Sequence, residues 1–318
     1  MVKILKAAPG LDQTNLIQTL LGSDFQVIEY DPEASLVEQG QDADVLLLRD
    51  VPVPASVIDG LPKLKLLQRL GHHIVGVDIR HARKKGVYVA NIPAKVSGGD
   101  RMVAEHALHL MFALAKRAKE SQESLVKRIL ANPANYSLTG KTLALVGVGN
   151  TGGELARLVS GLDMRIVAVK RTADEALARQ LGLAFMGTML DIDKVLREAD
   201  YVSLHMPLDD STVSFFSDNA FAAMKKGAFL INVARAQIVD RAALERALDT
   251  GHLGGAGLDV FWEEPADPTD SLLNRSNVIV TPHVAGVTRD VYEKLAEVAV
   301  ENIRLVLAGK SPRHAIEQ

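Results

Sequence analysis

The sequence predicts an α/β protein with two doubly wound parallel-sheet domains. Short apolar runs alternate with helix-like segments from the first residues, which is typical of βα units. The alternation is interrupted after Gly98 by a long helical pattern, and a second alternating series begins at Lys141. The length of 318 residues suits two domains of ordinary size.

The first series predicts five strands and three short helices. The strand candidates are the apolar runs VKILKAA, FQVIEY, ADVLLLR, LKLLQRL and VYVANI, and the helices fall between residues 12 and 21, 32 and 39, and 53 and 61. The interruption, residues 98–121, predicts one connecting helix, because its apolar residues repeat at helical spacing. The apolar face of this helix comprises Val103, Ala107, Leu110, Met111, Leu114 and Ala115.

The second series predicts six more strands, with the sequences TLALVGVG, RIVAVKR, FMG, YVSLHMP, AFLINVA and VIVTPH. A final helix is expected from residue 288 to 307. The remaining helices of this series are expected to begin near Thr151, Ala173, Asp191, Asn219 and Arg241.

Composition limits the classes of function. Hydrophobic residues make up 47% and charged residues 24% of the chain, and the formal net charge of −3 indicates neither a nucleic-acid binder nor a membrane binder. The sequence contains no cysteine, which excludes disulfides, thiolate metal sites and a cysteine nucleophile. The first ten residues lack the pattern of a signal peptide, so we expect a cytoplasmic protein.

A glycine-rich turn between the first strand and the first helix of the second series predicts a dinucleotide site. Gly147, Gly149 and Gly152 form G-x-G-x-x-G, with Asn150 and Thr151 between the last two glycines. The glycines allow a tight turn, close approach of a pyrophosphate and close helix packing, and the helix N-terminus attracts the phosphates. The pattern is typical of a Rossmann domain, although an ordinary βα turn is the alternative.

Two basic residues follow the next strand of this series. An acid at this position binds the ribose hydroxyls of NAD, whereas here Lys170, Arg171 and Thr172 take its place. Their charges and hydrogen bonds would attract the 2′-phosphate of NADP. We therefore expect NADP(H) to be preferred, with NAD(H) possible. The alternative is a solvated basic loop in an enzyme that uses NAD.

Three later polar residues stand shortly after apolar strands, at the edge where ligands bind in parallel sheets: Arg235, Glu264 and His283. Arginine binds a carboxylate through two parallel hydrogen bonds and can polarise a carbonyl. Histidine exchanges a proton near neutral pH, and a glutamate can orient its ring. These three residue types meet the needs of a 2-oxo acid reduction, which also requires a hydride donor.

The chain resembles the D-isomer-specific 2-hydroxyacid dehydrogenases, which include glyoxylate/hydroxypyruvate reductases, phosphoglycerate dehydrogenases and D-lactate dehydrogenases. The resemblance rests on GVGNTGGELA, INVARAQIVD, GAGLDVFWEEP, TPHVAGVT and MVAEHAL. It implies that Arg235, Glu264 and His283 are catalytic. The implied cofactor contacts are Asn150, Thr151, Val233, Arg235, His283 and, near the nicotinamide, Asp259.

The resemblance also implies the domain plan and the assembly. A Rossmann cofactor domain (99–286) would be inserted into a flavodoxin-like substrate domain (1–98 and 287–318). The partners would be a small 2-oxo or 2-hydroxy acid and a second copy in a homodimer built largely on the long helix. We expect no metal, because no third histidine or carboxylate has a suitable spacing.

The sequence departs from the family in the loop that holds the substrate carboxylate. Members often have R-x-G-x-G-x-D-N-x-D, whereas here His73 replaces the second glycine and Val75-Gly76 replaces Asp-Asn. The predicted substrate-binding residues are Leu70, Gly71, His72, His73, Arg235 and His283. Either the two loop histidines shape a specialised pocket, or they face water while the backbone binds the acid.

Two smaller features concern the same pocket. Ala236 stands where glycine commonly follows the arginine, and its methyl group would narrow the pocket. Arg49, at the end of a predicted strand, is either a second anion contact or a solvated charge.

Two other functions stay open. Some relatives are dinucleotide-sensing transcriptional corepressors that keep the same three residues. Others oxidise phosphite or formate, although formate dehydrogenases do not keep the pattern around Glu264.

Overall fold

The computed structural model describes residues 1–8, 13–49, 51–72 and 74–316. The chain forms two compact units, one made of residues 1–99 and 287–318 and the other of residues 100–286. Each unit contains one sheet in which all neighbouring strands run parallel. The predicted fold class, an α/β protein with two doubly wound sheets, is confirmed.

The sheet of the discontinuous unit has five strands, in the spatial order second, first, third, fourth, fifth. This is the flavodoxin-like order. The third strand is a run of valine and leucine buried along its whole length, as expected for a parallel sheet covered on both faces. The strands are β1 (Val2–Ala7), β2 (Phe25–Glu29), β3 (Val45–Leu48), β4 (Leu66–Arg69) and β5 (Tyr88–Ala90).

The sheet of the continuous unit has seven strands. Counted within this unit, the spatial order is third, second, first, fourth, fifth, sixth, seventh, which is the Rossmann order with one strand added at the edge. The order therefore reverses between the first and fourth strands, where a ligand crevice is expected. The strands are β6 (Thr142–Val146), β7 (Arg165–Val169), β8 (Phe185–Gly187), β9 (Tyr201–Leu204), β10 (Ala228–Asn232), β11 (Leu253–Leu258) and β12 (Val278–Val280).

Helices connect the strands in both units, and each helix that the sequence predicts has a counterpart. Two short helices, α4 (Ile79–Lys84) and α5 (Ala94–Ser97), were not predicted. The first of them begins where the Asp78 side chain accepts a hydrogen bond from the His81 amide. Among the residues the structure covers, every helix is too short or too polar to span a bilayer. The helices are α1 (Thr14–Leu21), α2 (Leu36–Gly40), α3 (Ala55–Asp59), α4 (Ile79–Lys84), α5 (Ala94–Ser97), α6 (Gly99–Ala115), α7 (Ala118–Val126), α8 (Asn150–Val159), α9 (Glu175–Gln180), α10 (Ile192–Glu198), α11 (Asp218–Ala223), α12 (Arg241–Asp249) and α13 (Arg289–Leu307).

The prediction of one continuous helix over residues 98–121 is wrong. The helix stops at Ala115, and α7 starts at Ala118 after Arg117 adopts a left-handed conformation with φ of 47°. The Arg117 guanidinium forms two hydrogen bonds to the Glu120 carboxylate, at 2.5 and 2.6 Å. These bonds stabilise a break that apolar periodicity cannot reveal, because the alanine-rich sequence around it favours a helix on both sides.

Strand β11 is absent from the predicted strands because its sequence, LGGAGL, has low strand propensity. Its glycines are required by close packing. A Cβ atom on Gly255 would lie 2.4 Å from the Asn277 carbonyl oxygen, and one on Gly257 would lie 2.9 Å from the Leu110 Cβ. Helix α6 therefore packs directly on this strand, with Leu110 and Leu114 buried in the core.

Candidate active site

The glycine-rich turn of residues 147–152, called the phosphate loop or cradle below, has the geometry that the sequence predicts for a dinucleotide site. Gly147 has φ of 97°, and a Cβ atom there would lie 2.8 Å from the His205 backbone. A Cβ atom on Gly152 would lie 2.4 Å from the Gly147 carbonyl oxygen, whereas one on Gly149 would meet nothing within 4 Å. Helix α8 begins at Asn150 without a side-chain cap, so the N–H groups of its first turn can bind phosphate oxygens.

The glycine at position 152 offers a test of this packing. We expect Gly152→Ala to destabilise the protein by about 1–3 kcal/mol, because its methyl group overlaps a backbone oxygen that cannot move freely. Gly153→Ala is the matched control, since its methyl group would find only ordinary contacts at 3.8 Å or more and alanine favours a helix. Urea denaturation measures both. Equal stability of the two variants would contradict the close approach of α8 to the loop.

The basic residues lie beside this loop. The Gly147 amide donates a hydrogen bond to the Val169 carbonyl, so Lys170 directly follows a residue in contact with the cradle. The Arg171 and Thr172 side chains are exposed. An Arg171 guanidinium nitrogen lies 3.3 Å from a carboxylate oxygen of Asp209, a residue that follows β9. Asp209 is not among the predicted site residues, and it pairs with the arginine that the sequence predicts to bind a phosphate.

Arg235 is presented by a short turn after β10. The buried Asn232 side chain accepts a hydrogen bond from the Ala234 amide at 3.0 Å and donates one to the Arg235 carbonyl at 2.9 Å. These two bonds fix the backbone of the turn, while Val233 is buried and the Arg235 side chain is exposed. The guanidinium donates to the Ala234 carbonyl at 2.7 Å, which leaves further N–H groups able to bind a ligand.

His283 and Glu264 are in direct contact. The His283 Nδ1 atom lies 2.8 Å and 3.0 Å from the two carboxylate oxygens of Glu264. Because an ionised carboxylate only accepts hydrogen bonds, Nδ1 is the donor and Nε2 is left for a substrate. One of the same carboxylate oxygens accepts the Phe261 amide at 3.1 Å, which holds the glutamate in place.

The register of the sheet relates Arg235 to His283. Asn232, Leu258 and Val280 are aligned across three neighbouring strands. Arg235 and His283 each lie three residues beyond this line, in the loops that follow β10 and β12, and only β11 separates these two strands. Two strand spacings correspond to roughly 10 Å, so the two side chains can serve one small molecule.

Asp259 immediately follows β11 and is almost completely buried. One carboxylate oxygen accepts the Thr281 hydroxyl at 2.6 Å and the Val284 amide at 2.9 Å, and the other accepts the Ala285 amide at 2.9 Å. Its carboxylate therefore binds the loop that carries His283. Contact of Asp259 with the nicotinamide stays a prediction.

Two other histidines of this unit were not predicted as functional. Burial lowers the pKa of His205 to about 4, which keeps its ring neutral beside the phosphate loop. His106, on α6, lies 2.7 Å from the Thr281 hydroxyl. One signal in the sequence could have identified His106. It is a polar residue on the otherwise apolar helix face that carries Val103 and Leu110.

The other predicted substrate residues belong to the discontinuous unit. Leu70 is buried, Gly71 has φ of 143°, and the His72 carbonyl accepts a hydrogen bond from the Asn91 side chain at 2.7 Å. His73 lies outside the described residues. The substrate-binding roles of these four residues stay predictions.

Comparison with known proteins establishes the family. The family model described as D-isomer specific 2-hydroxyacid dehydrogenase, NAD binding domain, matches residues 108–285, which is more than half of the chain. The chain belongs to this family. The prediction of an NAD(P)-dependent 2-hydroxyacid dehydrogenase is thereby confirmed at the level of the family, and the residues that match the family model lie within the continuous unit of this dehydrogenase.

Individual relatives support the same assignment of this dehydrogenase. A glyoxylate reductase from Korarchaeum cryptofilum is 33% identical over 89% of this chain and 85% of its own length. A chloroplastic D-3-phosphoglycerate dehydrogenase from Arabidopsis thaliana is 36% identical over 86% of this chain, but only 44% of its own length is covered. A protein of known structure from Thermus thermophilus is 31% identical with a TM-score of 0.81, over 99% of this chain and 100% of its own.

A D-lactate dehydrogenase from Aquifex aeolicus, whose crystal structure contains NAD and lactic acid, is 26% identical to this dehydrogenase. Its TM-score is 0.77, and 96% of each chain is covered.

Proposed function

We propose that this protein reduces a 2-oxo acid to a D-2-hydroxy acid and prefers NADPH to NADH. The observation that carries the reaction is the contact of His283 with Glu264, together with an exposed Arg235 in the loop after β10, two strands away in the same sheet. The glycine cradle at the N-terminus of α8 fits a dinucleotide, because added Cβ atoms would fill or distort it. When bound, the dinucleotide supplies the hydride.

The side chains supply the rest of the chemistry. Arg235 binds the substrate carboxylate through two parallel hydrogen bonds and draws electron density from the adjacent carbonyl. As the carbonyl carbon receives the hydride, its oxygen takes the proton from Nε2 of His283. Glu264 stabilises the protonated imidazole and keeps Nε2 directed away from itself. In the reverse direction, His283 removes the hydroxyl proton.

The product tests this reaction. We would incubate the purified protein with NADPH and pyruvate or hydroxypyruvate, whose reduction products are chiral, and separate the enantiomers of each product by chiral chromatography. The D-hydroxy acid alone supports the proposal. The L-hydroxy acid, or a racemate, would contradict it.

The cofactor preference rests on Arg171 and its neighbours. We expect Arg171→Ala to weaken NADPH binding by about tenfold or more, because a charge-assisted hydrogen bond to the 2′-phosphate is lost, and to leave NADH binding unchanged. Asp209→Asn should tighten NADPH binding, since Arg171 loses its competing partner. Fluorescence titration of both dinucleotides measures these changes.

Arg179→Ala is the control for a lost surface charge. Arg179 is exposed on α9 and pairs with Glu175 one helical turn away. If Arg171→Ala weakened both dinucleotides equally, the basic residues would not recognise the 2′-phosphate.

We also propose a cytoplasmic homodimer. Exposed apolar side chains on and after α7, those of Leu125, Val126 and Leu130, support an interface between copies. The family resemblance supports the homodimer.

A further inference from the structure

His106 lies outside the set of residues assigned to binding or catalysis, yet it is close to them. It projects from the middle of α6, and only 16% of its side chain is exposed. Its Nε2 atom lies 2.7 Å from the Thr281 hydroxyl and 3.4 Å from a carboxylate oxygen of Asp259. A polar side chain on a buried helix face normally has such partners, and here the partners belong to the loop of His283.

The directions of these hydrogen bonds follow from the donors and acceptors. The Thr281 hydroxyl donates its only proton to Asp259, at 2.6 Å, because the carboxylate can only accept. Its oxygen therefore accepts a hydrogen bond from His106, whose Nε2 must carry a proton. Burial lowers the pKa of His106, although Asp259 opposes this effect, and the neutral ring then carries its single proton on Nε2.

The hydrogen bonds that run from His106 through the Thr281 hydroxyl to Asp259, called the relay below, end on the loop that presents His283. Asp259 binds the Thr281 hydroxyl and the amides of Val284 and Ala285, so one carboxylate holds both sides of His283. His283 itself has φ of 54°, a left-handed conformation that non-glycine residues keep only where the surroundings impose it. Displacement of this loop would move the imidazole away from Glu264.

We propose that His106 is a positioning residue, which acts through Thr281 and Asp259 to hold His283 in its reactive position. The proposal rests on the role of His283 as proton donor. The Nε2–H of His106 fixes the orientation of the Thr281 hydroxyl, and the hydroxyl then satisfies the buried carboxylate. The carboxylate in turn fixes the backbone on both sides of His283.

The test compares three substitutions on one helix. His106→Phe keeps an aromatic ring but removes the donor, and we expect kcat to fall by about 10- to 100-fold, as misplacement of a reacting group does. His106→Gln keeps an amide N–H near the position of Nε2, and we expect it to restore kcat to within about threefold of the parent. His109→Phe is the matched control, because His109 is exposed one turn away and phenylalanine keeps its ring contact with His106, in which the ring centroids are 5.6 Å apart.

Dinucleotide affinity and thermal midpoint are measured on the same samples. Both should be nearly unchanged in His106→Gln, and NADPH affinity should be unchanged in His106→Phe. Parental kcat in His106→Phe would overturn the proposal. An equal loss of kcat in the glutamine and phenylalanine variants would also overturn it, since the effect would then come from packing.

Thr281→Val provides an independent route if His106→Phe does not fold. Removal of the hydroxyl should lower kcat as His106→Phe does, and where both single variants fold, combination of Thr281→Val with His106→Phe should add no further loss. Independent, multiplicative losses would contradict a shared relay. His283→Ala distinguishes the proposed function from the role of His106. Retained turnover in His283→Ala would refute the proposed function itself. Lost turnover in His283→Ala, together with parental turnover in His106→Phe, would refute only the relay.

Discussion

Replacement of His283 with alanine should lower kcat by about 100- to 10,000-fold, the usual contribution of a positioned general acid. The substrate oxygen would then have to take its proton from water. Dinucleotide affinity should persist, because the cradle at Gly147 to Gly152 does not depend on this side chain. Steady-state kinetics and NADPH titration, performed on the same preparation, measure the two effects.

The control for His283→Ala must share its backbone strain. His314 is exposed and has φ of 56°, nearly the value of 54° at His283, so His314→Ala introduces alanine into the same left-handed conformation. We expect the His314 variant to keep parental turnover. If His283→Ala turned over as fast as His314→Ala, His283 would not be the proton donor.

Replacement of Arg235 with alanine should lower kcat/KM by roughly 30- to 4,000-fold. This factor corresponds to a loss of about 2–5 kcal/mol of transition-state stabilisation. The substrate carboxylate would lose the charged partner that binds it through two parallel hydrogen bonds. Arg235→Lys should recover only part of this loss, because an ammonium group cannot form the two parallel hydrogen bonds. The 2-oxo acid concentration dependence separates the effect on KM from the effect on kcat.

Arg246→Ala is the control for Arg235→Ala. Arg246 is an exposed arginine on α12 that pairs with Asp218, so its loss removes the same charge from the same unit. An Arg235→Ala variant with parental KM and kcat would show that the substrate carboxylate is bound elsewhere. Full recovery in Arg235→Lys would show that charge alone is sufficient.

The sequence predicted the α/β fold class and several site positions because these depend on local patterns. Apolar runs identified the strands, and the polar residues that follow them identified the edge at which Arg235 and His283 lie. The glycine spacing predicted the tight turn before α8 and the close packing of this helix, since both depend on steric requirements that recur in such turns.

Other features depend on long-range contacts and left no local signal. Strand β11 consists mainly of glycine and alanine, and only the approach of α6 and of the Asn277 carbonyl explains its composition. The break at Arg117 depends on a tertiary turn. Asp209 meets Arg171, and His106 meets Thr281, across separations of 38 and 175 residues, which a single sequence does not reveal.

The most direct test of the proposed reaction is the selectivity of the unmodified protein between NADPH and NADH and among several 2-oxo acids. Absorbance at 340 nm would follow NADPH and NADH in parallel with glyoxylate, hydroxypyruvate, pyruvate, phenylpyruvate and 2-oxoisocaproate. We expect turnover of at least one acid, with kcat/KM higher for NADPH than for NADH. Equal or higher values with NADH would contradict the role of Lys170 and Arg171. Dinucleotide binding without turnover of any acid would contradict the proposed reaction and favour a dinucleotide sensor or a different hydride donor.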